Sequence, residues 1–246
     1  MKNNRRGGRG ALPPTLPWKK GTELKEGRPI SVSVIRRLPR YYRFLGELLE
    51  KGVTRISSKE LSFLMKITAS QIRQDLNCFG GFGQQGYGYQ VEILHKEIGD
   101  ILGLGNEIPA ILVGAGNLGK AVAPQLYSKK RGFHLLGAFD IDQKLVGTTL
   151  QKSDIAIHHI DELEEFCRKH HPLAAIVCVP KSAAAQLADR LVKAGIRGFW
   201  NFSSYDFAYH YDNIATVNVH LGDSIMTLSY LLTHMDEKGR QPTTLR

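Results

Sequence analysis

Three glycines between an apolar run and a helical pattern constrain this chain more than any other feature of its sequence. Residues 111–113 are apolar, and Gly114, Gly116 and Gly119 follow them in the spacing G-x-G-x-x-G. After a strand, this spacing permits a tight turn, brings backbone N–H groups close to a bound pyrophosphate and lets the next helix pack on the strand. The sequence therefore predicts a dinucleotide-binding loop formed by Gly114, Ala115, Gly116, Asn117, Leu118 and Gly119.

A carboxylate at the end of the next apolar segment supports the same interpretation. Residues 133–139 have the composition of a strand, and Asp140 follows them, 21 residues after Gly119. At this distance an acidic residue can bind the ribose hydroxyls of the nucleotide. The alternative is that Asp140 only begins a surface loop with Asp142. An acid without an arginine directly after it favours NAD(H) over NADP(H), because it would repel the 2′-phosphate.

The positive charge of the chain lies in its first third. The 246 residues carry a formal charge of +10; residues 1–91 hold 17 Lys and Arg against 6 Asp and Glu, and residues 92–246 hold 16 against 17. This asymmetry predicts a polyanionic partner, either nucleic acid or an anionic membrane surface. No segment resembles a membrane span or a signal peptide, so we expect a cytoplasmic protein without a membrane partner. The three widely spaced cysteines favour reduced thiols.

The first 30 residues differ in composition from the rest of the chain. They combine Gly, Pro and basic side chains with few apolar ones, which predicts a basic disordered tail. Two interpretations of this tail stay open. It is either a solvated extension or an arm that follows DNA phosphates without sequence preference.

Residues 31–91 have the pattern of a winged helix. A first helix is expected from Pro39, and capping-box sequences at Ser57 and Thr68 predict two short helices separated by a tight turn. Glycine and aromatic residues then alternate over residues 80–91, as in a β-hairpin. In a winged helix the second short helix enters the major groove of DNA; the alternative is a helical bundle without that function. The candidate DNA-contact residues are Arg40, Lys59, Ser70, Gln71, Arg73, Gln74, Gln84 and Gln85.

The remainder of the chain alternates strands and helices. Residues 92–107 are expected to form a linking helix, and residues 108–220 a Rossmann-type α/β domain with a doubly wound parallel sheet. Cofactors bind at the carboxyl ends of such strands. Further candidate cofactor contacts lie there: Val179, Pro180, Asn201 and Phe202. Residues 221–246 begin with a helix whose apolar face either covers its own domain or docks on a second chain. The nine histidines lack metal-ligand spacing, so no metal site is expected.

Several blocks of the sequence, in one order, resemble the Rex family of bacterial redox-sensing transcriptional repressors. The resemblance runs from about residue 31 to 236, and its specific blocks are residues 37–43 (RLPRYYR), 55–61 (RISSKEL), 86–89 (GYGY), 113–119 (VGAGNLG), 194–198 (AGIRG) and 201–202 (NF). It implies a homodimer whose winged helices bind a palindromic DNA operator and whose Rossmann domains bind NADH and NAD⁺, with NADH favouring release of DNA. It also implies that the C-terminal helix, from about Asp223, is swapped onto the partner chain.

The sequence departs from the family pattern in its DNA-binding elements. The usual recognition-helix run Arg-Lys-Asp-Leu-Ser-Tyr is Arg-Gln-Asp-Leu-Asn-Cys at residues 73–78, and the usual basic wing tip is Gln84-Gln85. Two consequences are possible. Either operator preference differs, since Gln pairs with adenine where Lys favours guanine, or the basic tail supplies the missing phosphate contacts.

A second departure concerns the redox switch. Family members commonly carry an Asp, in the run Asn-Val-Asp, that can pair with the arginine corresponding to Arg43, whereas this chain has His220 there. An imidazole cannot accept a salt bridge from arginine. The substitution predicts either that NADH binds without releasing DNA or that release depends on pH.

Two other functions stay open from the sequence. One is an NAD-dependent oxidoreductase with an N-terminal helical domain, which would need a proton donor or a substrate-binding cation near the nicotinamide. Residues 201–205 contain no evident acid–base pair. The other is a constitutive DNA-binding protein whose redox control has diverged.

Overall fold

The computed structural model describes residues 30–79, 83–84, 87–127 and 131–235. The expected basic tail, apart from Ile30, lies outside these residues, as do Gln85 and the chain after Met235. No helix of the described ranges is long and apolar enough to cross a membrane.

The first group of elements combines four helices with a small antiparallel sheet. The helices are α1 (Val32–Glu50), α2 (Ser58–Met65), α3 (Ala69–Asn77) and α4 (Val91–Ile101). The strands are β1 (Arg55–Ile56), β2 (Gly83–Gln84) and β3 (Gly88–Gln90), and β3 pairs with both of the others. One apolar core joins all four helices, and it includes Leu38, Tyr41, Leu61, Ile72, Leu94 and Ile98. Helix, turn, helix and hairpin in this order form a winged helix.

The first helix is longer than the sequence predicted. Its cap is Ser31, whose hydroxyl accepts a hydrogen bond from the Val34 N–H at 3.4 Å, and Pro39 lies inside the helix. The expected start at Pro39 is therefore wrong. Proline is favoured in a first turn, but here its ring lies on the exposed side of a helix whose buried stripe, Val34 and Leu38, begins before it.

The two predicted capping boxes have different outcomes. Ser57 and Glu60 form the full reciprocal box at the start of α2, as predicted. Thr68 caps α3 by accepting from the Gln71 N–H at 3.1 Å, but the Gln71 side chain does not return to Thr68. It donates instead to Asp75, four residues further along the same helix face, at 2.8 Å.

The expected linking helix packs within the first core. Val91, Leu94 and Ile98 of α4 are buried in the cluster that also contains Leu38 and Leu45 of α1. Its apolar stripe therefore completes the winged helix in addition to leading to the next element.

A six-stranded parallel sheet forms the second part of the described chain. Its strands are β4 (Ile108–Val113), β5 (Phe133–Asp140), β6 (Ile157–His159), β7 (Ala174–Val177), β8 (Gly198–Asn201) and β9 (Ala215–Asn218). They lie in the order β6-β5-β4-β7-β8-β9 with every pair parallel. This is the order of a doubly wound Rossmann sheet, so the predicted fold class is confirmed.

Helices cover the two faces of the sheet. On one face α5 (Asn117–Val122) continues into a 3₁₀ turn (Ala123–Leu126), and on the other lie α6 (Leu163–His170) and α7 (Lys181–Lys193). A short helix, α8 (Phe207–His210), precedes β9 and was not predicted. Its four residues are too few to give a helical apolar pattern in the sequence.

The last helix, α9 (Leu221–Thr233), does not cover its own domain. Its apolar stripe consists of Leu221, Ile225, Leu228 and Leu232, and these side chains are 54% to 68% exposed. Of the two alternatives for this helix, packing on its own domain is therefore excluded in this chain. A helix with such an unpaired stripe is typical of an intermolecular contact.

Candidate nucleotide and DNA sites

The three loop glycines have the steric environments that a dinucleotide loop requires. Gly114 has a φ of +95°, and a Cβ there would lie 2.8 Å from the Cys178 carbonyl oxygen. A Cβ at Gly119 would collide with the carbonyl oxygen of Gly114, so this glycine brings α5 against the strand. Gly116, by contrast, has no atom within 4 Å of a Cβ position and leaves open space above the loop. An approaching phosphate needs that space.

Asp140, the last residue of the neighbouring strand β5, hydrogen-bonds to the glycine loop. One carboxylate oxygen accepts from the Ala115 N–H at 2.7 Å, and the other accepts from the N–H groups of Ile141 and Asp142 at 2.8 and 3.0 Å. Each carboxylate oxygen has further acceptor capacity. Asp140 thus begins a turn with Asp142, as the alternative interpretation expected. It also lies against the glycine loop, the position expected for a residue that binds the ribose.

At the carboxyl ends of the strands, a crevice lies between β4 and β7. The order of the strands reverses at this point of the sheet. Cγ1 of Val179 lies 2.8 Å from the Cβ position of Gly114, and Pro180 precedes the first residue of α7. This is the point at which doubly wound sheets bind ligands. Burial raises the pKa of the nearby Cys178 thiol to about 12, so that thiol stays protonated at neutral pH.

Asn201 has a different environment from the one expected of a ligand contact. It is fully buried, and its amide nitrogen donates to the Tyr205 carbonyl at 2.8 Å and to Oδ1 of Asn218 at 2.9 Å. Its amide oxygen accepts from the N–H and hydroxyl of Ser203. The side chain is committed to the loop after β8, whereas the following Phe202 is only partly buried. We therefore assign Asn201 to positioning this loop.

The turn between α2 and α3 presents polar side chains to solvent. Ser70, Arg73 and Gln74 of α3 are exposed, as is Lys59 of α2, while Gln71 is half-buried. Arg73 donates to the Ser58 hydroxyl at 3.1 Å. Arg40, also exposed, donates to the Met65 carbonyl at the end of α2. Arg40 and Arg73 thus stabilise the turn as well as being candidates for phosphate contacts.

Asp75 is a buried charged residue of α3 whose contacts sequence patterns did not reveal. It is fully buried in α3, and Arg37 donates to both of its oxygens at 2.7 Å. Tyr41 and Gln71 donate to it at 2.9 and 2.8 Å. Burial opposes the charge of Asp75, but these hydrogen bonds outweigh it and lower the pKa of the carboxyl. The sequence contains one signal of this buried carboxylate: an aspartate at a position of α3 where the helical pattern expects an apolar residue.

The wing is described only in part. Gly88 of β3 has a φ of +69°, and a Cβ there would lie 2.7 Å from the Ile56 carbonyl oxygen. This close approach explains a glycine in the strand. Gln84 pairs through its backbone with Gly88, and Gln85 lies outside the described residues.

The two expected switch residues are both exposed. Arg43 lies on α1 beside the ring of Phe44, with 6.0 Å from its guanidinium carbon to the ring centroid. His220 immediately precedes α9 and makes no side-chain capping hydrogen bond there. The described contacts of a single chain do not join these two side chains.

An apolar groove lies on the α5 side of the sheet. It has a volume of about 440 Å³ and is lined by residues of β7, β8 and β9, among them Ile176, Trp200 and Val217, with Gln125 and Arg131 at one side. In the described part of the chain, no group of three His, Cys, Asp or Glu side chains could hold a metal ion.

The fold and the two sites define a class of protein: a winged helix joined to a Rossmann domain with a dinucleotide-type glycine loop. Comparisons with known families agree with this class for both the winged helix and the Rossmann domain. Residues 29–77 match the family described as "Putative DNA-binding protein N-terminus", and residues 106–205 match the "CoA binding domain" family.

The chain belongs to the Rex family of redox-sensing transcriptional repressors. It is 52% identical to the Rex of Caldanaerobacter subterraneus over 82% of this chain and 89% of the relative. It is 47% identical to a Rex of Clostridium perfringens, with 216 residues of this chain (88%) matching the whole of that relative.

Solved structures of RSP, a Rex-family repressor, are similar to most of this chain. The complex of RSP with β-NAD⁺ and operator DNA is 49% identical, with a TM-score of 0.77 over 84% of this chain and 94% of RSP. The complex with β-NADH is 46% identical, with a TM-score of 0.75 over 83% of this chain and 94% of RSP.

Proposed function

We propose that this chain is a homodimeric transcriptional repressor that senses the ratio of NADH to NAD⁺, with NADH favouring release from a palindromic DNA operator. The observation that carries this proposal is the joint presence of a winged helix and an NAD-type glycine loop in one chain. Support comes from RSP, which has been crystallised with NAD⁺ and operator DNA and with NADH.

The nucleotide is held at the β4–β7 crevice in this proposal. The loop from Gly114 to Gly119 supplies N–H groups to the pyrophosphate, and Asp140 accepts hydrogen bonds from the ribose. Val179 and Pro180 lie beside the adenosine, and Phe202 lies at the nicotinamide end. NADH and NAD⁺ differ in the charge and shape of the nicotinamide, so the loop that Asn201 positions is where the two are distinguished.

DNA is bound by the winged helix. The exposed Ser70, Arg73 and Gln74 of α3 enter the major groove, with Gln71 at its edge, while Lys59 and Arg40 contact phosphates and the wing lies along the backbone. A two-fold symmetric dimer presents two such helices, which requires a palindromic site.

The dimer is formed by α9. In a single chain, the apolar stripe of this helix and the apolar groove on the sheet are both exposed to water. A helix swapped onto the partner chain buries such apolar surface, which is favourable. NADH then releases DNA only if it binds one arrangement of the dimer better than the arrangement that holds DNA.

The proposal assigns regulation, not catalysis, to the nucleotide site. The side chains of Asn201 and Ser203 hydrogen-bond to each other and to the backbone of Tyr205, which commits these two side chains to the loop and not to a carbonyl substrate. A repressor acting on chromosomal DNA also agrees with the cytoplasmic location that the sequence predicts.

Fluorescence anisotropy tests the proposal directly. The purified protein is titrated onto palindromic DNA from upstream of its own gene, at fixed salt, with NADH, NAD⁺ or neither. Release by NADH but not by NAD⁺ is the expected result. DNA binding that neither nucleotide changes would indicate a constitutive DNA-binding protein. No DNA binding, together with NADH turnover on a panel of carbonyl substrates, would support the oxidoreductase.

A further inference from the structure

The residue that ends α2 has a backbone conformation that lysine rarely adopts. Lys66 is the C-cap of this helix, with φ of +53° and ψ of +42°. Helices commonly end in this left-handed conformation, but the residue there is usually glycine or asparagine, because a Cβ is strained in it. A lysine is therefore the less stable choice for this turn, and local backbone strain of this kind clusters at functional positions.

Stabilisation of the helix end does not explain the lysine. A positive charge at the C-terminus of a helix interacts favourably with the dipole and can bond to the last carbonyl groups. In α2 this position is already occupied, since the guanidinium of Arg40 donates to the carbonyl of Met65, the residue before Lys66. The Lys66 side chain is exposed, and within the described residues no hydrogen bond or ion pair engages it. Its charge is thus available to a partner outside the chain.

The turn that contains Lys66 leads directly into the proposed recognition helix. Thr68, two residues after Lys66, is the N-cap of α3. In a helix-turn-helix, the first helix crosses the DNA backbone while the N-terminal residues of the second contact base edges. The turn that joins the two helices therefore lies close to the phosphates at the rim of the major groove.

The arginines around α3 are engaged inside the domain. Arg37 forms an ion pair with Asp75 at 2.7 Å, and Arg73 donates to the Ser58 hydroxyl at 3.1 Å. With the bond from Arg40, these contacts hold the helices together without DNA. The Lys66 ammonium group has no such bond to break before it binds a phosphate, and an ammonium group binds phosphate as a point charge.

We infer that the ammonium group of Lys66 binds a backbone phosphate of duplex DNA beside the half-site that α3 contacts, without reading bases. The inference rests on the proposed DNA-binding function but not on its redox control. The strained turn lowers the stability of the free protein, and the phosphate contact is gained only in the complex. A glycine at this position would therefore fold better and bind DNA more weakly.

Two variants of Lys66 and one matched control test the contact. Lys66→Gln removes the charge and keeps a side chain on the left-handed backbone, whereas Lys66→Gly removes the charge and relieves the backbone. The control is Lys152→Gly. Lys152 is also exposed and has a φ of +59°, but it lies in the loop between β5 and β6 of the Rossmann sheet. The control thus makes the same two changes outside the winged helix.

Fluorescence anisotropy measures binding of each full-length variant to the palindromic duplex and to a random-sequence duplex of equal length, in salt from about 50 to 200 mM. We expect both Lys66 variants to bind both duplexes about tenfold more weakly at the lowest salt. Their log–log salt slopes should be flatter by about 0.9 for each lost phosphate contact, hence by about 1.8 for a dimer. Lys152→Gly should keep the wild-type affinity and slope.

Thermal unfolding separates a lost contact from a damaged fold. The Tm of Lys66→Gly and of Lys152→Gly should each rise by about 2–4 °C, because the left-handed backbone is no longer strained. Lys66→Gln should keep the wild-type Tm. Lys66→Gly would then be a more stable protein that binds DNA more weakly, a combination that damage to the fold cannot produce.

Equal affinities and salt slopes for the wild type and Lys66→Gln would overturn the inference. A lower Tm of Lys66→Gln with an unchanged slope would do the same, because it would assign the charge to the end of α2. Weaker binding to the palindromic duplex alone would also contradict it, since Lys66 would then read bases. A wild type that binds neither duplex would overturn the DNA-binding function together with the inference, whereas the other three results overturn the inference alone.

Discussion

Asp75 shows how one buried carboxylate can position the helix that we propose to read DNA. Its bonds to Arg37 and Tyr41 of α1 fix α3 against the first helix, and its bond to Gln71 fixes the start of α3. The pKa of Asp75 is lowered in the folded chain. Its contribution to stability is therefore complete above the unfolded pKa of about 3.9 and is lost as pH falls through the lower folded pKa.

Replacing Asp75 with Asn should weaken the winged helix in a pH-dependent way. The amide cannot pair with Arg37, so we expect the free energy of unfolding in urea at neutral pH to fall by about 1–3 kcal/mol, with weaker operator binding. The difference from wild type should shrink as the pH falls through the lowered folded pKa of Asp75, where Asp75 itself becomes protonated. The control, Asp100→Asn, breaks an exposed pair with Lys96 and should cost at most about 1 kcal/mol. A difference that does not change with pH would contradict this account.

Gly116 and Gly114 should respond differently to alanine. A methyl group at Gly116 enters open space, so we expect an unchanged Tm but NADH binding about tenfold weaker, because the methyl occupies the path of the phosphates. At Gly114 the same change should lower the Tm, because the backbone has a φ of +95° and the added methyl group would collide with the Cys178 carbonyl oxygen. Gly105→Ala, another glycine with open space around it, is the matched control. Unchanged NADH affinity in Gly116→Ala would place the phosphates elsewhere.

In the proposed dimer, helix α9 makes its main contribution outside its own chain. Because its stripe is exposed, the double substitution Ile225→Glu and Leu232→Glu should leave the Tm of a single chain nearly unchanged while raising the dimer Kd about 10³-fold or more. Thr227→Glu, on the opposite side of the helix, is the control. Sedimentation equilibrium measures the outcome. An unchanged dimer would show that α9 does not form the interface.

Most elements could be predicted from the sequence because local patterns determine them. The box at Ser57, the glycine loop and the alternation of strands and helices depend on neighbours in the chain. The bond from Gln71 to Asp75 and the burial of Asn201 depend on packing between distant segments, so periodicity could not reveal them. In the proposed dimer, the surface that α9 packs on belongs to a partner chain. The sequence therefore predicted an apolar helix face but left open what covers it.

In the whole molecule, redox control requires a mechanical link between the nucleotide crevice and the winged helices. The loop that follows β8 is tied through Asn201 to Asn218, two residues before His220 and the start of α9. The loop proposed to contact the nucleotide and the start of α9 are thus neighbours in the structure. Any change in α9 moves the partner chain in the proposed dimer, and with it the spacing of the two recognition helices.

His220 is the position at which this chain should differ from its family in that link. An aspartate there can pair with an arginine such as Arg43, whereas an imidazole cannot, so we expect His220→Asp to increase NADH-induced release of operator about fivefold or more relative to wild type. NADH affinity without DNA should change less, because the substitution lies outside the glycine loop. His171→Asp adds the same charge after α6, before the amino end of the central strand β7, and should leave release unchanged. Anisotropy titrations of NADH against the three preformed protein–DNA complexes measure the effect; equal release from wild type and His220→Asp would exclude this residue from the switch.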